Sequence, residues 1–195
     1  VPAPADWQEQ ASELATSLGL RSSPKLVLVP GRVPPLLWLP GVRLSKAVLV
    51  LPIDLLFKLD EGQRAALITH ELAHLRRRDP WVRWMELLAV ALYWWNPLLP
   101  LLRRRLRESE EQCCDAWVVS AVPGSARCYA TALVDTLDFL AGAGPAPLAA
   151  SGIGPVSDLK RRLSMILRGS PPRALGWPAT LGVFALGALL LPPWT

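Results

Sequence analysis

The strongest constraint on this chain is a pair of histidines, His70 and His74, which are the only two in its 195 residues. Residues four apart lie on one face of a helix, so both imidazoles can reach a single metal ion from successive turns. Glu71 then points toward the neighbouring open coordination position. The pattern His-Glu-x-x-His therefore predicts half of a zinc site, and the alternative is two histidines on a solvated helix face.

The residues on either side of the pair predict a helix over 61–78. Asp60 and Gln63 fit a capping box at its start, and apolar residues at helical spacing continue it. Asp79 and Pro80 end this helix and are expected to begin the next one, as N-cap and first helical residue. The histidine pair is thus predicted to lie inside a capped, amphipathic helix.

A third ligand must come from a different segment, because a catalytic zinc site has three protein ligands and a water molecule. Glu111 and Asp115 lie four residues apart on one face of a later helix. Glu111 can bind zinc while Asp115 accepts a hydrogen bond from the far nitrogen of a ligand histidine, which is the glutamate-zincin (gluzincin) arrangement. Zinc lowers the pKa of its water, and Glu71 is the candidate general base that accepts the proton.

Other side chains compete for the third ligand position. Glu86, Glu108 and Glu110 are the other nearby carboxylates, and Glu110 lies on a different helix face from Asp115. A cysteine thiolate from the Cys113-Cys114 pair is a second alternative, although a small cysteine at a helix packing position is the simpler interpretation.

The sequence does not identify the residue that would stabilise an oxyanion, because the chain has no third histidine. Tyr129 or an arginine near the site is a candidate for this role and for substrate contact. A tyrosine on a helix rich in alanine and leucine is also a common core residue, so packing is the alternative for Tyr129.

The remaining pattern predicts an α+β chain that is mainly helical. Trp7, Ala11 and Leu14 have helical spacing near the start, and two apolar runs, 25–29 and 47–51, are typical of short strands. The proline-rich stretch 34–41 between them suits an edge segment. Further helices are predicted over 80–95, 97–121, 125–141 and 157–168. Together these elements indicate a zincin-like helical core with a small sheet before the histidine helix.

Composition excludes a disordered chain, since apolar residues make up 51% and charged residues 19%.

The net charge is +5, and arginines cluster at 76–78 and 103–107 beside apolar segments. Contact with anionic lipid headgroups is the favoured interpretation, and pairing with nearby acids is the alternative. Nucleic acid is not expected as a partner, since the sequence shows neither aromatic interleaving nor helix-turn-helix spacing. Three cysteines indicate a reducing compartment.

Two apolar segments are candidates for contact with lipid. Residues 176–194 carry no charge, which predicts a C-terminal transmembrane helix, with a buried core helix as the alternative. Basic residues precede this segment, so the positive-inside rule places the rest of the chain in the cytoplasm. Residues 81–102 have tryptophans at both ends and are expected to be membrane-associated, with interfacial, re-entrant and core placements all open. The start at Val1 indicates a piece of a longer protein.

The combined motifs resemble the membrane zinc peptidases of the BlaR/MecR antirepressor type. The histidine motif is followed by Arg77-Arg78-Asp79, by Trp95-Asn96-Pro97, by Glu111-x-x-Cys114-Asp115 and by Leu159-Lys160-Arg161-Arg162-Leu163-x-Met165. The resemblance extends over about residues 10–195. More distantly, the chain is similar to the CAAX-prenyl and heat-shock membrane zinc peptidases.

The resemblance implies a metalloendopeptidase at the cytoplasmic face of the cell membrane. The resemblance also implies that His70, His74 and Glu111 are the zinc ligands and that Glu71 is the general base. Asp115 is then a residue that contacts a ligand without binding the metal. Residues 1–172 are then the peptidase domain and 173–195 a transmembrane segment.

Family members cleave a transcriptional repressor or themselves in signal transduction. This sequence lacks a penicillin-binding sensor, since its two Ser-x-x-Lys matches, at 22–25 and 157–160, are poorly placed to replace one, so β-lactam sensing is not expected. Peptide substrates are expected to add as a strand along the 34–51 region. The alternatives are a catalytically inactive membrane sensor or scaffold that keeps the fold, and a helical membrane protein without metal.

Overall fold

The computed structural model describes residues 1–41, 43–122, 124–141, 156–168 and 181. Within them the chain is mainly helical, with one small sheet. The elements, in chain order, are α1 Ala5–Ser17, β1 Lys25–Val29, β2 Leu36–Trp38, a 3-10 turn Leu44–Lys46, β3 Val48–Pro52, α2 Ile53–Leu56, α3 Glu61–Arg77, α4 Asp79–Tyr93, α5 Leu98–Ala121, α6 Ala126–Ala141 and α7 Val156–Arg168.

The sheet has the strand order β1-β3-β2. β1 and β3 run parallel, with Leu26 opposite Leu49, while β2 is antiparallel to β3. The two apolar runs therefore form the strands that the sequence predicts, and the proline-rich stretch supplies β2 at the sheet edge. The alternating leucines of β1 and β3 are buried against α1 and α3, which fixes the sheet beside the histidine helix.

α3 is the central helix of the molecule and packs against α1, α4, α5, α6 and β2. The predicted capping box is confirmed, because the Asp60 carboxylate accepts from the Gln63 backbone at 2.7 Å and the Gln63 side chain accepts from the Asp60 backbone at 2.9 Å. Both ends of the histidine motif lie among buried leucines and alanines of this helix. The alternative of a solvated histidine face is wrong for His70, which is buried.

The junction between α3 and α4 differs from the prediction. Asp79 is the first residue of α4 and not its N-cap, a position that falls to Arg78. Arg78 adopts a left-handed backbone with φ 65°, which ends α3 and lets α4 begin at once. Pro80 is therefore the second residue of α4 and not the first, although it still lies in the first turn. Because Asp79 does not cap α4, its side chain can turn back and contact His74 of α3.

The later helices follow the predicted order, with bounds that differ by one or two residues. Pro97 is the N-cap of α5, and the side-chain oxygen of the preceding Asn96 accepts from the Leu98 backbone at 2.9 Å. α5 and α6 both pack along α3, and α7 packs across α5 and α6. The short helix α2 and the 3-10 turn are elements that the sequence patterns do not predict.

Several lipid-related predictions fall outside the described residues. The 176–194 segment lies there except for Leu181, so the predicted transmembrane helix and the 173–195 boundary are not described. Among the helices that the structure does describe, none is long and apolar enough to cross a bilayer. The 81–102 stretch forms α4, a turn and the start of α5.

Candidate metal centre

α3 and α5 bring together three side chains at the base of a cleft. The Glu111 carboxylate lies 3.3 Å from His70 Nε2 and 3.7 Å from His74 Nε2. The two imidazole rings are nearly perpendicular, with centroids 5.0 Å apart. One donor atom from each of the three residues lies within 4.8 Å of the others, so the set can hold one metal ion.

The donor set fits zinc. Tetrahedral zinc with bonds of about 2.0–2.2 Å to nitrogen and oxygen places neighbouring donor atoms roughly 3.3–3.6 Å apart. His70 Nε2 lies 3.3 Å from Glu111 Oε2, within this range, and His74 Nε2 lies 3.7 Å from the other oxygen of the same carboxylate, Oε1. Two imidazole nitrogens and one carboxylate oxygen also make up a common ligand set of catalytic zinc sites.

Tyr129 and Asp115 lie behind the His70 ring. The Tyr129 hydroxyl lies 2.7 Å from His70 Nδ1 and donates a short hydrogen bond to the Asp115 carboxylate, which itself lies 3.4 Å from the same nitrogen. With Nδ1–H donating to the tyrosine oxygen, His70 directs Nε2 toward Glu111. The Tyr129 hydroxyl thus provides the main link between Asp115 and His70.

This position favours packing for Tyr129, and its predicted role in stabilising an oxyanion or contacting substrate stays a prediction. Its side chain is fully buried, and its hydroxyl is engaged on the side of His70 away from Glu111. The alternative, a buried aromatic ring with one satisfied polar tip, agrees with this packing. The hydroxyl orients the imidazole.

Arg162 is a site residue for which the sequence pattern indicates no specific role. From α7 its guanidinium donates to both Asp115 oxygens, at 2.7 and 2.8 Å, and its remaining nitrogen lies 2.9 Å from Glu111. The basic motif 159–165 contained this residue, but three adjacent cations gave no signal for which one turns inward. Only the packing of α7 on α5 and α6 selects Arg162.

These contacts set the charge state of the metal-free site. Burial disfavours the charged imidazole, but Asp115 and Glu111 outweigh it and raise the pKa of His70 to about 9. Burial alone raises the pKa of Glu111, but Arg162 and the two histidines prevail and lower it to about 2. The pKa of Asp115 is also lowered, to well below its usual range, because the effects of Arg162 and His70 outweigh that of burial. Both acids are therefore carboxylates at neutral pH.

His74 contacts a different carboxylate on its far side. Asp79 Oδ2 lies 2.8 Å from His74 Nδ1, and the Cys114 sulfur lies 3.4 Å from the same nitrogen. His74, Asp79 and Cys114 form a second group whose donor atoms are close together. Burial and nearby acids raise the pKa of the Cys114 thiol well above its usual value, which disfavours the thiolate form that binds metal.

The rival carboxylates have other partners. Glu110 accepts from Arg83 at 2.6 Å, and Glu86 accepts from the same arginine at 2.9 Å. Glu108 pairs with Arg104 and Arg105. The candidate ligand set among the described residues that contains both histidines includes none of the three. The alternative interpretation of the arginine clusters, which is pairing with nearby acids, is therefore correct for some of these arginines.

The candidate metal centre lines a cleft of about 390 Å³. Glu71 lines this cleft beside both histidines. Leu36 and Leu37 of the edge strand β2 form part of one wall, and Leu133 and Leu137 of α6 lie in the lining as well. A carboxylate, three converging donors and an edge strand thus share one cavity.

Fold and site together define a helical protein with a small sheet and a His-Glu-x-x-His helix whose two histidines meet a glutamate from a later helix. The family model described as BlaR1 peptidase M56 matches residues 40–166, well over half of the chain. The chain therefore belongs to this metallopeptidase family, which confirms the resemblance over that span. No curated protein matches the sequence.

Proposed function

We propose that this chain is a zinc-dependent endopeptidase with His70, His74 and Glu111 as metal ligands. The observation that carries the proposal is the approach of both Nε2 atoms to one Glu111 carboxylate, at 3.3 and 3.7 Å, on the floor of a cleft. A zinc ion held there supplies Lewis acidity, which lowers the pKa of water and polarises a peptide carbonyl.

Glu71 is the general base of the proposed reaction. It follows His70 directly on α3 and lines the cleft, so its carboxylate can take a proton from water at the metal centre. The same group then delivers the proton to the departing amine. Arg162 and Asp115 contribute by holding Glu111 and His70 in place, and neither needs to touch the substrate.

The substrate is proposed to be a protein or peptide segment that binds in an extended form along β2. Among the strands that the structure describes, β2 pairs with β3 alone, and it lies in the cleft wall, so its outer edge can accept a further strand. A transcriptional repressor and the chain itself are the two substrates that family membership suggests. Both are protein segments that such an edge can bind.

The test measures metal and cleavage in the same preparations. The purified chain is expected to bind one zinc per molecule and to cleave casein or itself. Glu71→Gln should keep its zinc and lose cleavage by about 10²–10⁴-fold, the usual contribution of a general base. His70→Ala should lose both metal and activity.

Two results would overturn this proposal. Equal cleavage by the unmodified chain and Glu71→Gln would remove Glu71 from the mechanism. Zinc binding without any cleavage by the unmodified chain would instead favour the inactive scaffold that keeps the fold.

We also propose that the domain works at the cytoplasmic face of a cell membrane. The support is an apolar surface, here called the α4–α5 face, whose large side chains are mostly more than half exposed. Arginines at 103–105 flank it, and tryptophan beside cationic side chains is typical of groups at a lipid headgroup layer. The face comprises Trp81, Trp84, Met85, Leu88, Leu92, Trp94, Trp95, Leu98, Leu101 and Leu102.

Residues 173–195 are proposed as the accompanying transmembrane segment, on the sequence pattern alone. Hydrogen exchange distinguishes the two proposals. It is measured on the chain in the presence of phosphatidylcholine vesicles that contain or lack phosphatidylserine. Slower exchange in α4 and early α5 on the anionic vesicles supports the α4–α5 face. Vesicle binding with unchanged exchange there would contradict it.

A further inference from the structure

A buried carboxylate that the proposed reaction does not use lies directly behind His74. Asp79 Oδ2 is 2.8 Å from His74 Nδ1, while the other ring nitrogen of His74 faces Glu111 at 3.7 Å. Asp79 is only 4% exposed. The carboxylate therefore contacts the nitrogen opposite the one that faces the candidate metal centre.

The backbone around Asp79 has an uncommon conformation. Arg78 has φ 65°, and it is the only residue other than glycine with a positive φ among those the structure describes. Such a conformation costs free energy for a residue with a side chain. Its effect is to end α3 and begin α4 within one residue, so that Asp79 turns back onto the last turn of α3.

Two further donors hold the Asp79 carboxylate in this position. Arg77 Nε lies 3.3 Å from Asp79 Oδ2, and the Cys114 thiol donates to the same oxygen from α5 at 3.8 Å. Asp79 is thus fixed from α3, α4 and α5 at once. A carboxylate needed only to begin a helix requires none of these contacts.

We propose that Asp79 is a positioning residue for the metal centre, an inference that rests on the proposed zinc peptidase function. It accepts a hydrogen bond from Nδ1–H of His74. A neutral imidazole has one ring proton, so fixing it on Nδ1 leaves the Nε2 lone pair for zinc. Each ligand histidine then has its own orienting group, Tyr129 with Asp115 for His70 and Asp79 for His74.

The experiment compares zinc affinity in matched variants by competition with a chelator. Asp79→Asn has nearly the same shape but loses the charge, and its amide can favour the wrong imidazole tautomer. Glu86→Gln is the control, because Glu86 lies on the same helix, is buried, pairs with an arginine and does not contact a histidine. Asp79→Asn is expected to bind zinc 10–100-fold more weakly, as for other residues behind metal ligands. Glu86→Gln should match the unmodified chain.

A second measurement needs no variant. With two histidines in the chain, nitrogen NMR of the zinc-bound, histidine-labelled protein reports both imidazoles. A proton on Nδ1 of His74 with zinc on Nε2 supports the proposal, and the reverse arrangement overturns it. Equal affinity of Asp79→Asn and Glu86→Gln overturns the role of Asp79 alone. Failure of the unmodified chain to bind zinc overturns the proposed function as well.

Discussion

At the scale of single residues, the candidate site depends on buried hydrogen bonds that fix each ligand. His70 is held by Tyr129 and Asp115, and Glu111 is held by Arg162. A buried polar group that loses its partner costs about 1–3 kcal/mol, so these contacts constrain the side chains strongly. The site is consequently sensitive to substitutions that remove one atom.

Tyr129→Phe tests the position of the tyrosine hydroxyl. Because the lost oxygen lies between His70 and Asp115, we expect zinc affinity to fall about 10–100-fold, measured by chelator competition. Cleavage at saturating zinc should change much less. Tyr93→Phe is the control, since Tyr93 is exposed on α4. Unchanged zinc affinity with a large loss of turnover would instead indicate direct contact with the substrate.

At the scale of elements, each helix contributes through a particular end or face. α3 begins at a capping box and carries the histidines, whereas α7 supplies Arg162. The capping box follows from four local residues, so the sequence predicts it fully. The inward face of α7 depends on neighbouring helices, so the sequence identifies the helix but not its contribution to the site.

The cap of α3 can be tested by Asp60→Ala. Its carboxylate accepts from the Gln63 backbone at 2.7 Å, so we expect the free energy of unfolding to fall by about 1 kcal/mol in urea denaturation. Asp54→Ala removes an exposed acid from the first turn of α2 and should change it by less than about 0.5 kcal/mol. Equal effects of the two substitutions would contradict the cap.

Arg162→Ala tests how α7 is attached. The substitution leaves Glu111 and Asp115 without their shared cation, so the metal-free protein should lose roughly 3–5 kcal/mol of unfolding free energy, as when one partner of a buried pair is removed. Urea denaturation with a chelator measures this. Arg161→Ala, at the exposed neighbouring position, should have little effect. A small loss from Arg162→Ala would mean that α7 is held by its apolar contacts alone.

At the scale of the whole molecule, the proposed metal joins segments far apart in the chain. His70 and Glu111 come from α3 and α5, and these two helices share the most extensive helix–helix contact in the described fold. A ligand that binds only the folded state stabilises it, by about 2.7 kcal/mol at a concentration 100-fold above its Kd. Metal binding and global stability are therefore coupled.

Zinc removal should lower the thermal midpoint of the unmodified chain. For a protein of this size, about 2.7 kcal/mol corresponds to roughly 5–10 °C. Calorimetry with zinc and then with excess chelator measures the shift. His70→Ala should show no shift between the two conditions, and a similar shift in that variant would place the stabilising zinc elsewhere.

The sequence by itself determined the features that depend on local spacing. Residue periodicity predicts the histidine pair four residues apart, the capping box, the short strands and the shared helix face of Glu111 and Asp115, because helices and strands repeat with fixed geometry. Family membership follows from the same motifs, and the match over 40–166 agrees with it.

Only the tertiary structure decided which distant groups meet. Arg162 and Asp79 reach the site through the packing of α7 and a left-handed residue between two helices, and no spacing rule encodes either contact. Tyr129 could have faced the cleft or the core by sequence, and packing placed it behind His70. The physical reason is that contacts between separate helices depend on how the helix faces pack and on the backbone of the junction between them, which local patterns leave open.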